Sequence, residues 1–203
     1  MNFLSLNVNG LGKGEFKSKW VRNIILSNRI DFVGLQETKR KKWNDKMLKD
    51  IWGSHDFEAV FKEAAGQGGG MLCMWNKNLF TKTQTILRND CILIKGRWTE
   101  SNEEICIINI YGSQKPEERK DLWNFISAYL LNWKGKSIIF GDFNEVRSEK
   151  ERRGSIFDKR SAEAFNDFIR NNRLEDLKIG GREFTWSNKS CSKLSKLDRF
   201  LIS

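Results

Sequence analysis

The stretch SIIFGDFNEVRSEKERRG, Ser137 to Gly154, carries three apolar residues, Ile138 to Phe140, into Gly141 and then sets Asp142 and Asn144 one residue apart. Glycine, aspartate and asparagine all tolerate the backbone angles of tight turns and bond to their own main chain, so alone the stretch reads as a strand ending in a surface turn. A second reading opens if other strands also end in short polar groups able to bind a metal or a phosphate. How the other strands end decides between the two.

Short runs rich in Ile, Val and Phe recur along the chain: Phe3 to Val8, Asp31 to Glu37, Met71 to Asn76, Cys91 to Trp98, Glu104 to Tyr111 and Ser137 to Asn144. Their length and composition predict strands. Helical spacing links Phe16, Trp20, Ile24 and Ile25; Trp43, Met47, Leu48, Ile51 and Trp52; Leu122, Phe125, Ile126, Tyr129 and Leu130; and Phe165, Phe168 and Ile169. Strands through the middle with helices interposed near both ends predict face-to-face sheets covered by helices. Gly66 and Gly68 to Gly70 lack the Gly-Lys-Ser/Thr ending of a phosphate loop and read as a hairpin turn.

At 203 residues, with 39% hydrophobic and 31% charged residues, the chain has the size and composition of one globular domain. Only Pro116 is a proline, and no linker, repeat or low-complexity tract divides it. The 36 Lys and Arg against 26 Asp and Glu give a formal charge of +10, which favours a polyanionic partner such as nucleic acid or an acidic membrane surface. Cys73, Cys91, Cys106 and Cys191 have no paired spacing and read as reduced and structural. With His55 the only histidine, a zinc site of the His/Cys type and a Ser/His/Asp triad fall away. The sequence enters a strand directly after Met1 and contains no membrane-length apolar run, which predicts a soluble intracellular protein with no membrane partner. Lys39 to Lys42, beside Trp43, fits a nuclear address, a phosphate-facing patch or, the plainer choice, a solvated helix start.

Polar groups gather at the ends of four strand runs: Asn7 and Asn9 in LNVNG, Glu37 in GLQET, Tyr111 in NIYGS, and Asp142 and Asn144 in GDFN. Ligands of α/β proteins commonly lie at such strand ends, where loops vary over a rigid sheet. A carboxylate with amides suits Mg²⁺, which binds through one or two carboxylates and keeps waters and a substrate phosphate. A second carboxylate can orient or deprotonate an attacking water, so a phosphodiester is the natural substrate.

The order Asn-x-Asn-Gly, Gln-Glu, Asn-x-Tyr, Gly-Asp-Phe-Asn and finally SKLDRFLIS (Ser195 to Ser203) resembles the endonuclease/exonuclease/phosphatase, or deoxyribonuclease I-like, superfamily over essentially the whole chain. Within it, LNVNGLG, LQETK, GGGMLCMWN, GDFNEVRSEKERRG, FTWSN and SKLDRFLIS are most similar to the endonuclease domain of plant LINE-type (non-LTR) retrotransposon polyproteins. The resemblance implies an α+β fold: a four-layer α/β sandwich of two packed, mostly antiparallel sheets flanked by helices. It further implies nicking of DNA to a 3′-hydroxyl with Mg²⁺, or Mn²⁺, as cofactor, nuclear localisation and a reverse transcriptase in the same polyprotein. It assigns Glu37 to the metal, Asn7 to orienting groups around the phosphate, Tyr111 to the scissile phosphate, Asp142 to the water and Asn144 to a phosphate oxygen.

By the same resemblance Asp198 would orient a catalytic histidine carried on a Ser-Asp-His segment beyond LDRF. The chain reaches Ser203 without it, and His55 sits in the unrelated context WGSHDF. The expectation is a C-terminally truncated domain lacking its last strand, with an unpaired sheet edge and impaired turnover. Phe184 and Trp186, with Arg182 beside them, resemble the loop that reaches into the DNA groove, while buried hairpin packing is the equal alternative for Trp186. Glu145 to Gly154, where acids and bases alternate, reads as a solvated loop. A non-catalytic nucleic-acid-binding remnant, and behind it a phosphatase or sphingomyelinase of the same superfamily, are the alternative functions.

Overall fold

The computed structural model describes residues 1–12, 16–66, 68–178 and 180–203. In chain order the elements are β1 (Phe3–Asn7), α1 (Phe16–Ser27), β2 (Phe32–Gln36), α2 (Asp45–Trp52), β3 (Phe57–Lys62), β4 (Met71–Asn76), β5 (Phe80–Leu87), β6 (Cys91–Trp98) and β7 (Glu104–Tyr111). There follow α3 (Pro116–Leu130), β8 (Lys136–Asp142), a 3-10 turn (Glu149–Glu151), β9 (Arg152–Arg153), α4 (Lys159–Asn171), β10 (Glu175–Asp176), β11 (Trp186–Ser187), β12 (Leu194–Ser195) and β13 (Asp198–Ile202). All the expected apolar runs form strands, and Gly66 to Gly70 lies in the connection of the antiparallel pair β3 and β4.

A four-stranded sheet has the order β1-β2-β4-β3 and a six-stranded one the order β10-β13-β8-β7-β6-β5. Only β1–β2 and β7–β8 run parallel within them, and the other pairs are antiparallel. A small antiparallel sheet, β11-β12-β9, stands beside β13. Helix starts follow local chemistry: Asn44 Oδ1 accepts from Met47 N at 2.9 Å to cap α2, and Asp158 Oδ1 accepts from Ser161 N at 3.1 Å to cap α4.

Three apolar layers make this a four-layer sandwich. Val21, Ile25, Leu48 and Ile51 of α1 and α2 pack on the small sheet face made by Val33, Leu35, Leu72 and Met74. Phe32, Trp75, Phe80, Ile92, Ile107 and Phe140 fill the space between the two large sheets. Leu122, Trp123, Ile126, Phe165 and Phe168 of α3 and α4 cover the outer face of the six-stranded sheet. Gly34 sets the spacing between sheets, because a Cβ there would lie 2.3 Å from the Phe140 ring. Burial pushes the thiols of Cys73, Cys91 and Cys106 up to about 12, so these three stay protonated core residues.

Three expectations are corrected. Helix α1 buries Ser18, Val21 and Ile25, so Phe16 and Trp20 fall outside the packed stripe and are 83% and 47% exposed. Lys39 to Lys42 does not start a helix, since α2 begins after the cap at Asn44. Glu145 to Gly154 is a solvated loop only in part: Ser148 to Lys150, Arg153 and Gly154 are exposed, but Glu145 is buried and accepts from Arg119 Nη2 at 2.7 Å and Nε at 3.1 Å. Farther along, Arg199, fully buried, grips Glu151 through both terminal nitrogens and Asp176 Oδ2 at 2.7 Å. Glu145 and Glu151 find partners far away in sequence, and those partners draw the two ends of the stretch into the fold.

Candidate active site

The carboxyl ends of β1, β2, β7 and β8 converge on one side of the sandwich. Register places Asn7 opposite Gln36, the residue before Glu37, and places both Tyr111 and Asp198 opposite Asp142. Pairing therefore sets two groups, Asn7 with the residue before Glu37 in one sheet and Tyr111, Asp142 and Asp198 in the other, and the packing of the sheets brings the groups together. Gly141, at φ +136°, stays paired between β7 and β13, and only glycine fits there, because a Cβ on it would lie 2.1 Å from Ile110 O. Asn144, in the left-handed region at φ 50°, folds back so that its N–H donates to Asp142 Oδ1 at 2.9 Å. Its side-chain amide donates to Gly112 O at 2.8 Å and so braces the β7 and β8 ends together.

Asn7 Nδ2 donates to Glu37 Oε1 at 3.1 Å and to Asp142 Oδ2 at 2.9 Å, joining a carboxylate of one sheet to a carboxylate of the other. Behind this bridge Gln36 Nε2 donates to Asn109 Oδ1 at 2.6 Å, a fully buried contact that fixes the two sheets in register. Glu37 itself has φ 52°, a strained angle for a residue with a side chain.

The charged groups differ in their surroundings. Burial opposes ionisation of Glu37, but hydrogen bonds from Asn7 and Tyr111 and the nearby Lys39 ammonium outweigh it and hold the carboxyl below its ordinary range. Burial raises Asp142 above its usual value despite hydrogen bonds from Asn7 and the Asn144 N–H, with the Glu37 charge adding to the rise. Asp198 is pushed up to about 6, first by burial and then by repulsion from Asp142, against a hydrogen bond from Thr185. Burial and the bond to Glu37 keep the Tyr111 hydroxyl protonated well above its usual range. Among the described residues, neither Asp142 nor Asp198 has an ion-pair partner.

Asn7, Asn9, Glu37, Asp142 and Asp198 line one cavity of about 620 Å³, and Thr185, Trp186 and Ser187 form its flank. A second hollow of about 440 Å³ shares that flank and is lined by Arg182, Phe184 and Trp186. Trp186 is 43% exposed and stands at the boundary of both, which removes the buried-hairpin alternative for it. Arg182 is exposed beside it. Tyr111 and Asn144 do not line the cavity; Tyr111 reaches it through Glu37.

Sequence reading missed three participants. Lys39 Nζ donates to Asn9 Oδ1 at 2.5 Å and lies 3.4 Å from Glu37 Oε2. Lys17 Nζ donates to the carbonyls of Val8, Asn9 and Gly10 at 2.7, 3.2 and 2.8 Å, tying down the loop after β1. Thr185 Oγ1 accepts from the N–H groups of Leu197 and Asp198, both at 3.0 Å, which locks the flank onto β13. The LQETK stretch held the signal for Lys39, two residues from Glu37, but its turn geometry is invisible in composition.

The donor set suits a hard divalent cation. Its donors are carboxylate and amide oxygens, and at Asp142 and Asp198 its negative charge is buried without ion-pair contact to a described cation, the Arg199 charge acting on Asp198 only in part. No three acidic, His or Cys side chains among the described residues close into a cage, which fits an ion held by few protein ligands and completed by water and phosphate. His55 cannot join them: it precedes β3, whose first residue Phe57 pairs with Asn76, at the end of the sheet opposite Glu37.

No curated protein sequence matches the chain. Among solved structures, AP endonuclease LMAP from Leishmania major superposes with a TM-score of 0.75 at 16% identity, covering 99% of this chain and 78% of that one. The 3′ phosphatase NExo from Neisseria, bound to a product DNA hairpin, gives 0.73 at 15% identity over 99% and 85% of the two chains. An AP endonuclease from Archaeoglobus fulgidus gives 0.70 at 15% identity over 98% and 84%. These likenesses establish a deoxyribonuclease I-like fold, and the profile of the Endonuclease/Exonuclease/phosphatase family matches residues 4–203, so the chain belongs to that family.

Proposed function

We propose that residues 1–203 form a single, retrotransposon-derived DNA endonuclease domain that hydrolyses a phosphodiester to leave a 3′-hydroxyl with Mg²⁺ or Mn²⁺. The observation that carries the reading is the Asn7 bridge, which brings Glu37 and Asp142 from different sheets into one cavity. Family membership supports a divalent ion, since the superfamily generally depends on one. Glu37, held ionised, would bind it, and the ion when bound would supply positive charge to the phosphate oxygens.

The chain's own groups then divide the work. Asp142, held in place by Asn7 and the Asn144 N–H, accepts a proton from the water that attacks phosphorus. Tyr111, kept protonated and bonded to Glu37, would donate to a phosphate oxygen only on turning from Glu37, and Asn144 would do so only on releasing Gly112 O. Asp198 sits where it can orient a further donor. Arg182 and the exposed Trp186 contact the DNA on the cavity's flank, one by charge and one by stacking or wedging. The formal charge of +10 supports a nucleic-acid substrate, and a nuclear location and a linked reverse transcriptase follow from the retrotransposon reading.

On this reading turnover by residues 1–203 is slow, because their one histidine, His55, lies at the end of the sheet opposite Glu37. The same fact favours a second reading, a domain that binds DNA without cutting it. Supercoiled plasmid incubated with residues 1–203 and Mg²⁺ separates them. Slow nicking, absent in EDTA and absent in Glu37→Gln, is expected; nicking that survives both changes would overturn the proposal. Salt-sensitive binding with no nicking, even at high protein concentration, supports the second reading.

A further inference from the structure

We propose that Lys39 couples the two ligands of this site, an inference that rests on the metal-dependent nuclease reading: its ammonium neutralises Glu37 in the free protein and moves to a backbone phosphate of the DNA when a divalent cation takes Glu37. Three non-glycine residues with left-handed backbone build the arrangement, Asn9 at φ 43°, Glu37 at 52° and Lys39 at 53°. Such angles persist only where the surroundings impose them, and they cluster at ligand sites. Here they turn two loops toward each other so that Lys39 Nζ lies between Asn9 Oδ1, at 2.5 Å, and Glu37 Oε2, at 3.4 Å. The Lys39 stem lies over Gly10, where a Cβ would come within 3.1 Å of Lys39 Cδ. Asn9 and Glu37 both line the cavity, which puts the ammonium at its mouth with the side chain 36% exposed.

Asn9 is in turn tied to the catalytic floor, because its N–H donates to Asn7 Oδ1 at 3.0 Å. A divalent cation on Glu37 would stand within a few ångströms of this ammonium, and like charges so close repel. The repulsion is relieved when Lys39 finds another anion within reach of its flexible stem. A polynucleotide supplies anions at regular spacing, so the phosphate next to the one at the metal is the acceptor that resolves the conflict. Metal and DNA then each favour the other's binding, and by linkage the effect is reciprocal.

The test uses Lys39→Met, which keeps the stem over Gly10, with Lys39→Gln as a second neutral variant and Lys39→Arg as the charge-conserving one. Mn²⁺ affinity is read by electron paramagnetic resonance without DNA. Affinity for a fluorescein-labelled duplex is read by anisotropy across a monovalent salt series at a fixed, saturating concentration of Ca²⁺, with EDTA as the control. Both neutral variants are expected to bind Mn²⁺ about fivefold tighter than the wild-type protein, and to lose, with the divalent ion present and not in EDTA, about 0.9 from the slope of log affinity against log salt, one phosphate contact. Lys39→Arg keeps the wild-type slope. A folded neutral variant with unchanged Mn²⁺ affinity, or with an unchanged slope, overturns the coupling while leaving the nuclease reading intact. A wild-type protein that binds neither Mn²⁺ nor duplex overturns both.

Discussion

Two sets of carboxylates lie side by side in this protein and meet opposite treatment. Glu145, Glu151 and Asp176 are each matched by a buried guanidinium, Arg119 or Arg199. Asp142, only three residues before Glu145, and Asp198, next to Arg199, receive hydrogens from Asn7, Asn144 and Thr185; neither is in ion-pair contact with a described cation, and the Arg199 charge offsets only part of the rise at Asp198. Strand alternation separates the sets: Phe200 stacks on Phe140 between the sheets, on the side of Asp198, whereas Arg199 and Leu201 face α4, with Arg199 over the Phe165 ring. Matched charge holds the fold together. Charge without an ion-pair partner is where the proposed cation would sit.

The comparison breaks first if the matched set is dispensable. Arg199→Met leaves Glu151 and Asp176 without their main partner in a dry setting, and removing one member of a buried pair costs about 3–5 kcal/mol. Urea denaturation should show that loss in the midpoint, and the small sheet bearing Trp186 should loosen with it, because β9 follows Glu151 directly. A midpoint within experimental error of wild type would mean that these ion pairs decorate the fold rather than anchor it. The unmatched set predicts the reverse pattern. Asp142→Asn should lower the nicking rate by about 10²- to 10⁴-fold while leaving the urea midpoint close to that of the parent protein.

Much of this was legible before any coordinates. The buried strands announce themselves as runs of Ile, Val, Leu and Phe because both their faces are covered, as in Cys91–Trp98 and Glu104–Tyr111. Of the strands missed, β3 and β5 each lie at one edge of a large sheet, β9 to β12 are only two residues long, and Thr81 to Gln84 are polar because one side of β5 meets water. Strand ends pointed to Asn7, Glu37, Tyr111 and Asp142, since register aligns them within each sheet and sheet packing, through the Asn7 bridge, brings the two sets into reach. Lys39 and the Arg119 and Arg199 pairs stayed hidden, because left-handed turns and contacts 26 or 48 residues apart leave no period in a sequence.

The smallest effect is the most discriminating one. Asp198 titrates at about 6 in the folded chain against an ordinary 3.8, so its contribution to stability is fully present below pH 3.8 and is lost as the pH rises through 6. At pH 7.5 the folded protein therefore carries an ionised group it would rather keep protonated. Asp198→Asn removes that cost and can still accept the Thr185 hydrogen bond, so the melting temperature at pH 7.5 should rise by about 2–4 °C in a chain of this length. The gain should shrink toward zero at pH 4.5, where Asp198 of the parent protein is already mostly protonated. Millimolar Mn²⁺ at pH 7.5 should erase the gain from the other direction, by compensating the charge in the parent but not in the variant. A variant that melts lower than its parent at pH 7.5 would place Asp198 among the matched carboxylates, with a partner in solution that the folded geometry does not reveal.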